Sequence, residues 1–480
     1  AEVGYTSPVI EARTKAAETC KMKNRYIYIT LMSLLGLTAE AQAQLIAQAP
    51  RLVVNIQIDQ LRTDFLETYA PLYGPDGFNR LLKHGMVFTN GAYNFSPVDR
   101  ASAIASVQTG TSPYYHGITA FEWLDKETLR PQQCVRDTKV GYSPNHLGTS
   151  TLGDELKIAT NGIGKVYSFA ATADAAILSA GHAADGVLWV NNNQWTSTTY
   201  YQPYDKWISG YSRLYAPGTD VNAGITTAAL ECVKQAGIGI DDKPDLINLT
   251  YEAGRTMESY VKLDENISTL IQGIEGHLNR DRILFVISGT AYREETEDDH
   301  ATNARFRIPT GNFYINRTAN LLNMYLGAIF GQAQYIEYCY HNQLFFNRQT
   351  LRQKNINLGD LMERSQEFLL QISGIRNVYT ANQLLTSDNH LLEPIRNGFN
   401  IEKCGDLIID ITPGWQLVNE ETLEKSTSRA YNIPFPIIIY GDGVRSERVQ
   451  TPVTADRIAP TIARSIRIRA PNACSAVPLF

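Results

Sequence analysis

The chain has 480 residues, 44% of them apolar and 19% charged, with a net charge of −6. Such a composition supports a large buried core and excludes an intrinsically disordered chain. The small negative charge is spread out, with no basic tract for nucleic acid and no acidic tail, and no internal repeat or low-complexity tract is present.

In chain order, the first feature is "MKNRYIYITLMSLLGLTAEAQA" at 22–43. Met22 is followed by Lys23 and Arg25, an apolar run from Tyr26 to Leu37, and A-x-A at Ala39 to Ala41 and at Ala41 to Ala43. This is the layout of a secretory signal peptide, with an apolar run shorter than the roughly 20 residues of a spanning helix. Export to the periplasm or cell envelope is expected, with no transmembrane span in the mature chain. Residues 1–21 read as an upstream over-extension and 44–480 as the folded domain.

"RLVVNIQIDQ" then reads as a buried parallel strand ending in a carboxylate, and "GFNRLLKHG" as a helix stopped at Gly85. Strand-like runs recur at 165–171, 245–251, 282–288, 406–411 and 435–441. Between them lie helical stretches at Gly153 to Ala159, Ala223 to Ala236 and Met257 to Leu278. The alternation predicts an α/β fold, a doubly wound, mostly parallel sheet with helices on both faces and ligands at the carboxyl ends of its strands. Two insertions are expected as cap subdomains, near 187–216 and 292–400. The first is dense in aromatics, among them Trp189, Trp195, Trp207 and Tyr211, and reads more readily as a self-packed cap than as a platform for stacking a sugar. Cys134, Cys232, Cys339, Cys404 and Cys474 permit one or two bridges of unreadable pairing. Without a C-x-x-C they give no support for a zinc or redox site.

Six pieces occur in order: "VVNIQIDQLRTDFLETYAPLYGPDGFNRLLKHGMVFTN", "ASVQTGTSPYYHGI", "AAILSAGHAADGVLWV", "GDLIIDITPGW", "NIPFPIIIYGDGV" and "TADRIAPTIARSIRIRAPNAC". Together they resemble the alkaline phosphatase superfamily, most closely the periplasmic phosphate-irrepressible alkaline phosphatases and their type I phosphodiesterase/nucleotide pyrophosphatase relatives. The resemblance implies two metal ions, usually zinc, about 4 Å apart. It also implies about six Asp and His ligands at strand ends and a Thr or Ser nucleophile at a helix N-terminus, where backbone N–H groups favour an anion.

Matched position by position, the resemblance places Asp59 at the first ligand. The nucleophile, nine residues before Thr109, becomes Arg100. Ser102 and Ser96 are the nearest hydroxyls, but Ser102 is turned by about 200° on the helix. Tyr251 and Arg255 stand at an Asp and a His, with Gly254 between them in register. Gly289 and Thr290 stand at an Asp-His pair, and Lys425 lies in the window of the last His. Thr172 and Asp174 replace two cations aimed at the phosphoryl group. Asp299 and His300, in "REETEDDH", read as a solvated loop; His116 and His182 read as structural.

The expectation is an exported, catalytically degenerate superfamily member with a binding or envelope-associated role. No cofactor is expected, Asp59 is the retained ligand position, and Arg100 and Arg255 form a pocket for an anionic small molecule or envelope component. The alternative is a divergent phosphomonoesterase or phosphodiesterase that uses zinc, or recruits Ser96 or Ser102.

Overall fold

Parallel pairing organises the centre of the structure, a computed structural model that describes residues 49–203, 205–291, 310–428 and 433–480. The central strands are β1 (Leu52–Asp59), β2 (Met86–Ala92), β3 (Val166–Ala170), β4 (Gly186–Asn191), β5 (Gln194–Thr196), β6 (Asp245–Glu252), β7 (Ile283–Gly289), β8 (Phe435–Gly441), β9 (Glu447–Val449) and β10 (Val453–Thr454). Their order is β9-β2-β8-β7-β1-β6-β3-β4-β5, with β10 also pairing with β2. From β7 through β1, β6 and β3 to β4 every pairing is parallel, whereas β8 runs antiparallel to both β7 and β2.

Side chains alternate across a strand, so β1, β6 and β7 present two chemically different faces. One carries Val54, Ile56, Ile58, Ile247, Leu249, Tyr251, Phe285 and Ile287, all in one apolar core. Helices α3 (Val221–Ala236) and α4 (Met257–Glu275) cover it with Ile225, Cys232, Leu263 and Ile267. The opposite face carries Asn55, Gln57, Asp59, Asn248, Thr250, Ser288 and Thr290. It is covered by α1 (Arg100–Thr109) and α2 (Ala173–Ala180), whose buried positions are Ala- and Ser-rich, letting both helices sit close to the sheet. The site lies at the carboxyl end of this polar face.

A second core belongs to the segment between β7 and β8. Strands Ile336–Tyr340, Gln343–Phe346, Leu407–Ile411 and Ile375–Thr380 form an antiparallel sheet backed by helices Ile315–Phe330 and Leu358–Leu369. The apolar run expected in the central sheet at 406–411 is therefore a strand of this smaller one. Its alternating core residues Leu407, Ile409 and Ile411 serve either sheet equally well, and pairing decided the matter.

The aromatic stretch at 187–216 begins inside the central sheet, as β4 and its hairpin partner β5. Trp189 and Trp195 are buried, and Trp207 lies against Tyr167 and Phe169, with ring centroids 5.7 and 6.3 Å apart. These indoles pack against the edge of the core, Trp189 and Trp195 buried and Trp207 partly so. The five cysteines from Cys134 onward are free thiols, four of them buried, so the bridges that the sequence allows do not form. Among the described residues, no helix is long and apolar enough to cross a membrane.

Leu249 is 1% exposed on the apolar face. Leu249→Ala is expected to cost about 2–5 kcal/mol in urea unfolding; a loss below about 1 kcal/mol would show that this face is loosely packed.

Candidate functional site

Three elements bring charge to one point. β1 ends at Asp59, whose side chain is on the polar face and 7% exposed. Just beyond β7, the Thr290 N–H donates to the Ile58 carbonyl at 3.2 Å, extending the ladder so that the Thr290 hydroxyl donates to Asp59 Oδ1 at 2.7 Å. The third contributor is Arg100, the first residue of α1.

The start of α1 is set by a reciprocal cap. Asp99 Oδ1 accepts from the Ser102 N–H at 2.8 Å, and Ser102 Oγ accepts from the Asp99 N–H at 3.0 Å. This satisfies two N–H groups at once and fixes the direction in which Arg100 leaves the helix. Arg100 then forks onto Asp174, in the first turn of α2, with Nε to Oδ2 at 3.0 Å and Nη2 to Oδ1 at 3.3 Å. Its Nη1 reaches Asp59 Oδ2 at 3.5 Å. The planar guanidinium matches a carboxylate in this two-bond geometry, which a lysine cannot reproduce.

Two carboxylates around one guanidinium leave an excess of negative charge in a poorly solvated place. Burial pushes the Asp59 carboxyl up to about 6, against the lowering effect of Arg100 and the Thr290 hydrogen bond, while Asp174 and Glu252 add to the rise. Burial also raises Asp99 and the Cys134 thiol, and Asp174 contributes to both.

A second arm forms the rim. Gly254 has φ +68°, a conformation that costs glycine nothing, and it turns the chain after β6. Arg255 then donates from Nε to Gln60 Oε1 at 3.2 Å, and Gln60 Nε2 donates to Glu252 Oε1 at 3.0 Å. Arg100 thus meets Asp59, whereas Arg255 meets the residue after it.

Tyr251 does not face the site. It lies on the apolar side of β6, 1% exposed, with its hydroxyl 2.8 Å from Thr226 Oγ1 of α3. The β6 residue level with Asp59 is Glu252, a carboxylate that matching by motif passed over. The signal available was parity, since residues with paired Cα positions in parallel strands share a face.

Ser102 is fully buried in the helix cap, with its hydroxyl also donating to the Asp99 carbonyl at 3.0 Å. Ser96 lies before the helix, its N–H donating to the Pro394 carbonyl at 2.9 Å. His116 is buried with Nε2 at 2.8 Å from Ser106 Oγ and Nδ1 accepting from the Ile118 N–H, and burial, with Lys403 nearby, pushes it down to about 3. His182 bridges Asp154, at 2.9 Å, and the Leu147 carbonyl, at 3.1 Å. Lys425 begins an edge strand of a small three-stranded sheet. Asp299 and His300 lie outside the described residues.

Among the described residues, the donor set does not fit the zinc pair that the resemblance implies. Asp59 and Asp174 share Arg100, Thr290 donates to Asp59, and no group of three or more His, Cys, Asp or Glu suited to a metal occurs among the described residues. A cation added here would meet a fixed guanidinium and too few acceptors.

The sequence profile of type I phosphodiesterase / nucleotide pyrophosphatase matches residues 53–432. The chain belongs to this family. It is accordingly a member of the alkaline phosphatase superfamily. It is similar to alkaline phosphatase PafA of Elizabethkingia meningoseptica, 23% identical over 90% of this chain and 94% of that protein. It is also similar to alkaline phosphatase PhoV of Synechococcus elongatus, 22% identical over 88% of this chain and 91% of that protein. The crystal structure of wild-type PafA superposes with a TM-score of 0.78 at 21% identity, covering 90% of this chain and 99% of that one. The family's fold, a large and mostly parallel sheet flanked by helices, is thus present over nearly the whole described chain.

A folded-state value near 6 means that the native chain retains a proton which the unfolded chain has lost. The contribution of Asp59 to stability therefore falls as pH rises from about 4 to about 6. Asp59→Asn is expected to gain on the wild type across that window, by on the order of 1–3 kcal/mol, and to hold the gain above it. Urea unfolding on either side of the window checks this; a gap independent of pH would contradict it. Arg100→Met, which strands both carboxylates, is expected to cost about 2–4 kcal/mol near neutral pH. Arg100→Met/Asp174→Leu should recover most of that loss, and strictly additive losses would show that the pair is uncoupled.

Proposed function

We propose that this family member is exported and does not carry out metal-assisted phosphoryl transfer, serving as a binding or envelope-associated protein. The supporting observation is the position of Arg100. Where the family resemblance expects a hydroxyl nucleophile at a helix N-terminus, a guanidinium is held by Asp174 and Asp59. A guanidinium has no lone pair to attack phosphorus, and its charge is already matched by carboxylates. An anionic or zwitterionic small molecule would meet Arg255 on the rim more readily than Arg100. To reach Arg100 it would have to displace two carboxylates. The export part of the proposal rests on the pattern at 22–43, outside the described residues.

Turnover is the second reading, favoured by similarity along nearly the full chain to proteins named alkaline phosphatases. It requires a hydroxyl and metal ligands drawn from outside the geometry described.

Purified mature chain should contain zinc well below one equivalent and hydrolyse p-nitrophenyl phosphate and its bis-ester no faster than buffer. Stoichiometric zinc together with turnover abolished by Asp59→Ala would establish the hydrolase instead.

A further inference from the structure

The polar face of the central sheet continues far below Asp59. One layer under the Asp59–Thr290 pair, Gln57 is level with Thr250 on β6 and Ser288 on β7. A layer deeper, Asn55 is level with Asn248. Gln108, at the far end of α1, and Ser179, on α2, close the seam from above. Gln108 Nε2 donates to Asn248 Oδ1 at 3.0 Å and Asn248 Nδ2 to the Ser179 carbonyl at 2.9 Å, while Asn55 Nδ2 donates to Asn248 Oδ1 at 3.0 Å. All these side chains are at most 5% exposed.

Those bonds leave many polar atoms over. Asn55 Oδ1, Gln57 Nε2, Gln108 Oε1, Ser179 Oγ, Thr250 Oγ1 and Ser288 Oγ are buried with no hydrogen-bond partner among the described residues. An orphaned buried polar atom bears its full desolvation cost, and six along one seam is far from how protein interiors are built. Beside these layers the opposite face of the same strands presents the core residues Val54, Ile56, Ile247, Leu249, Phe285 and Ile287, so the polarity here belongs to this seam.

We propose that this seam is a binding site for a string of ordered waters beneath Asp59. The unsatisfied set mixes an amide N–H donor, carbonyl acceptors and hydroxyls that do both, which suits a molecule that donates and accepts. The layers are also about 6–7 Å apart along the strands, too far for these oxygens to converge on one ion. Two or more waters, each with several polar partners, bridge such a spacing. The inference does not depend on whether the chain turns over a phosphate ester.

The test is a crystal structure of the full chain at a resolution that places ordered waters. Expected are density peaks within hydrogen-bond distance of Gln57 Nε2, Thr250 Oγ1 and Ser288 Oγ, and others near Asn55 Oδ1 and Gln108 Oε1. Finding these atoms bonded to one another with no density between them would overturn the proposal. So would an anomalous peak in the seam of a rubidium-soaked crystal, which would assign a monovalent cation. In solution the sign of one substitution discriminates. With waters in place, Gln57→Leu removes a partner they need and lowers the melting temperature; in a dry seam it deletes an unpaired amide N–H, at the loss of only a long 3.5 Å bond from Gln108 Nε2 to Gln57 Oε1, and raises it. Should Gln57→Leu fail to fold, Ser288→Ala gives the same two opposed outcomes at smaller amplitude.

Discussion

One guanidinium between two carboxylates governs the site. Arg100 leaves α1, Asp174 leaves α2 and Asp59 ends β1, so a single, largely buried ion group ties together the two helices that cover the polar face and the strand beneath them. Such a group is costly to desolvate and is tolerated only where geometry supplies nearly every hydrogen bond. The reciprocal cap between Asp99 and Ser102 supplies that geometry by fixing the first turn of α1. The same arrangement engages both carboxylates with Arg100, and among the described residues this charge forms an internal brace.

The Arg100–Asp174 pairing also unifies two departures that look unrelated in the sequence. An arginine stands where a hydroxyl is expected, and an aspartate stands where a cation is expected. The fold places them in contact, with Arg100 forking onto Asp174. Glu252 and Gln60 add a second layer of hydrogen bonding through Arg255, and the rim becomes a continuation of the brace.

Most of the fold was legible because its signals are local and redundant. The β-branched runs at 52–59, 245–252 and 283–289, the helical stretches between them and the six motif pieces in order all point to the same parallel sheet. The run at 406–411 was misplaced because an apolar alternation names a strand but not its partner. Tyr251 was misread for a similar reason. A motif gives spacing along the chain, whereas the face on which a side chain emerges depends on pairing with β1. The aromatics of 187–216 were read as packing, and β4, β5 and the buried indoles give that packing its place at the edge of the core.

The chain's residues by themselves determined the family, the parallel sheet, and the presence of Arg100 and the carboxylate Asp59 at the positions where chemistry would be sought. Only the tertiary structure decided that Arg100 is held by Asp174, that Glu252 and not Tyr251 faces the site, and that Arg255 turns to Gln60. The physical reason is that hydrogen bonds and ion pairs depend on distances of a few ångströms between residues tens or hundreds of positions apart. Strand register and helix placement set those distances, and neither is written in any short stretch of sequence.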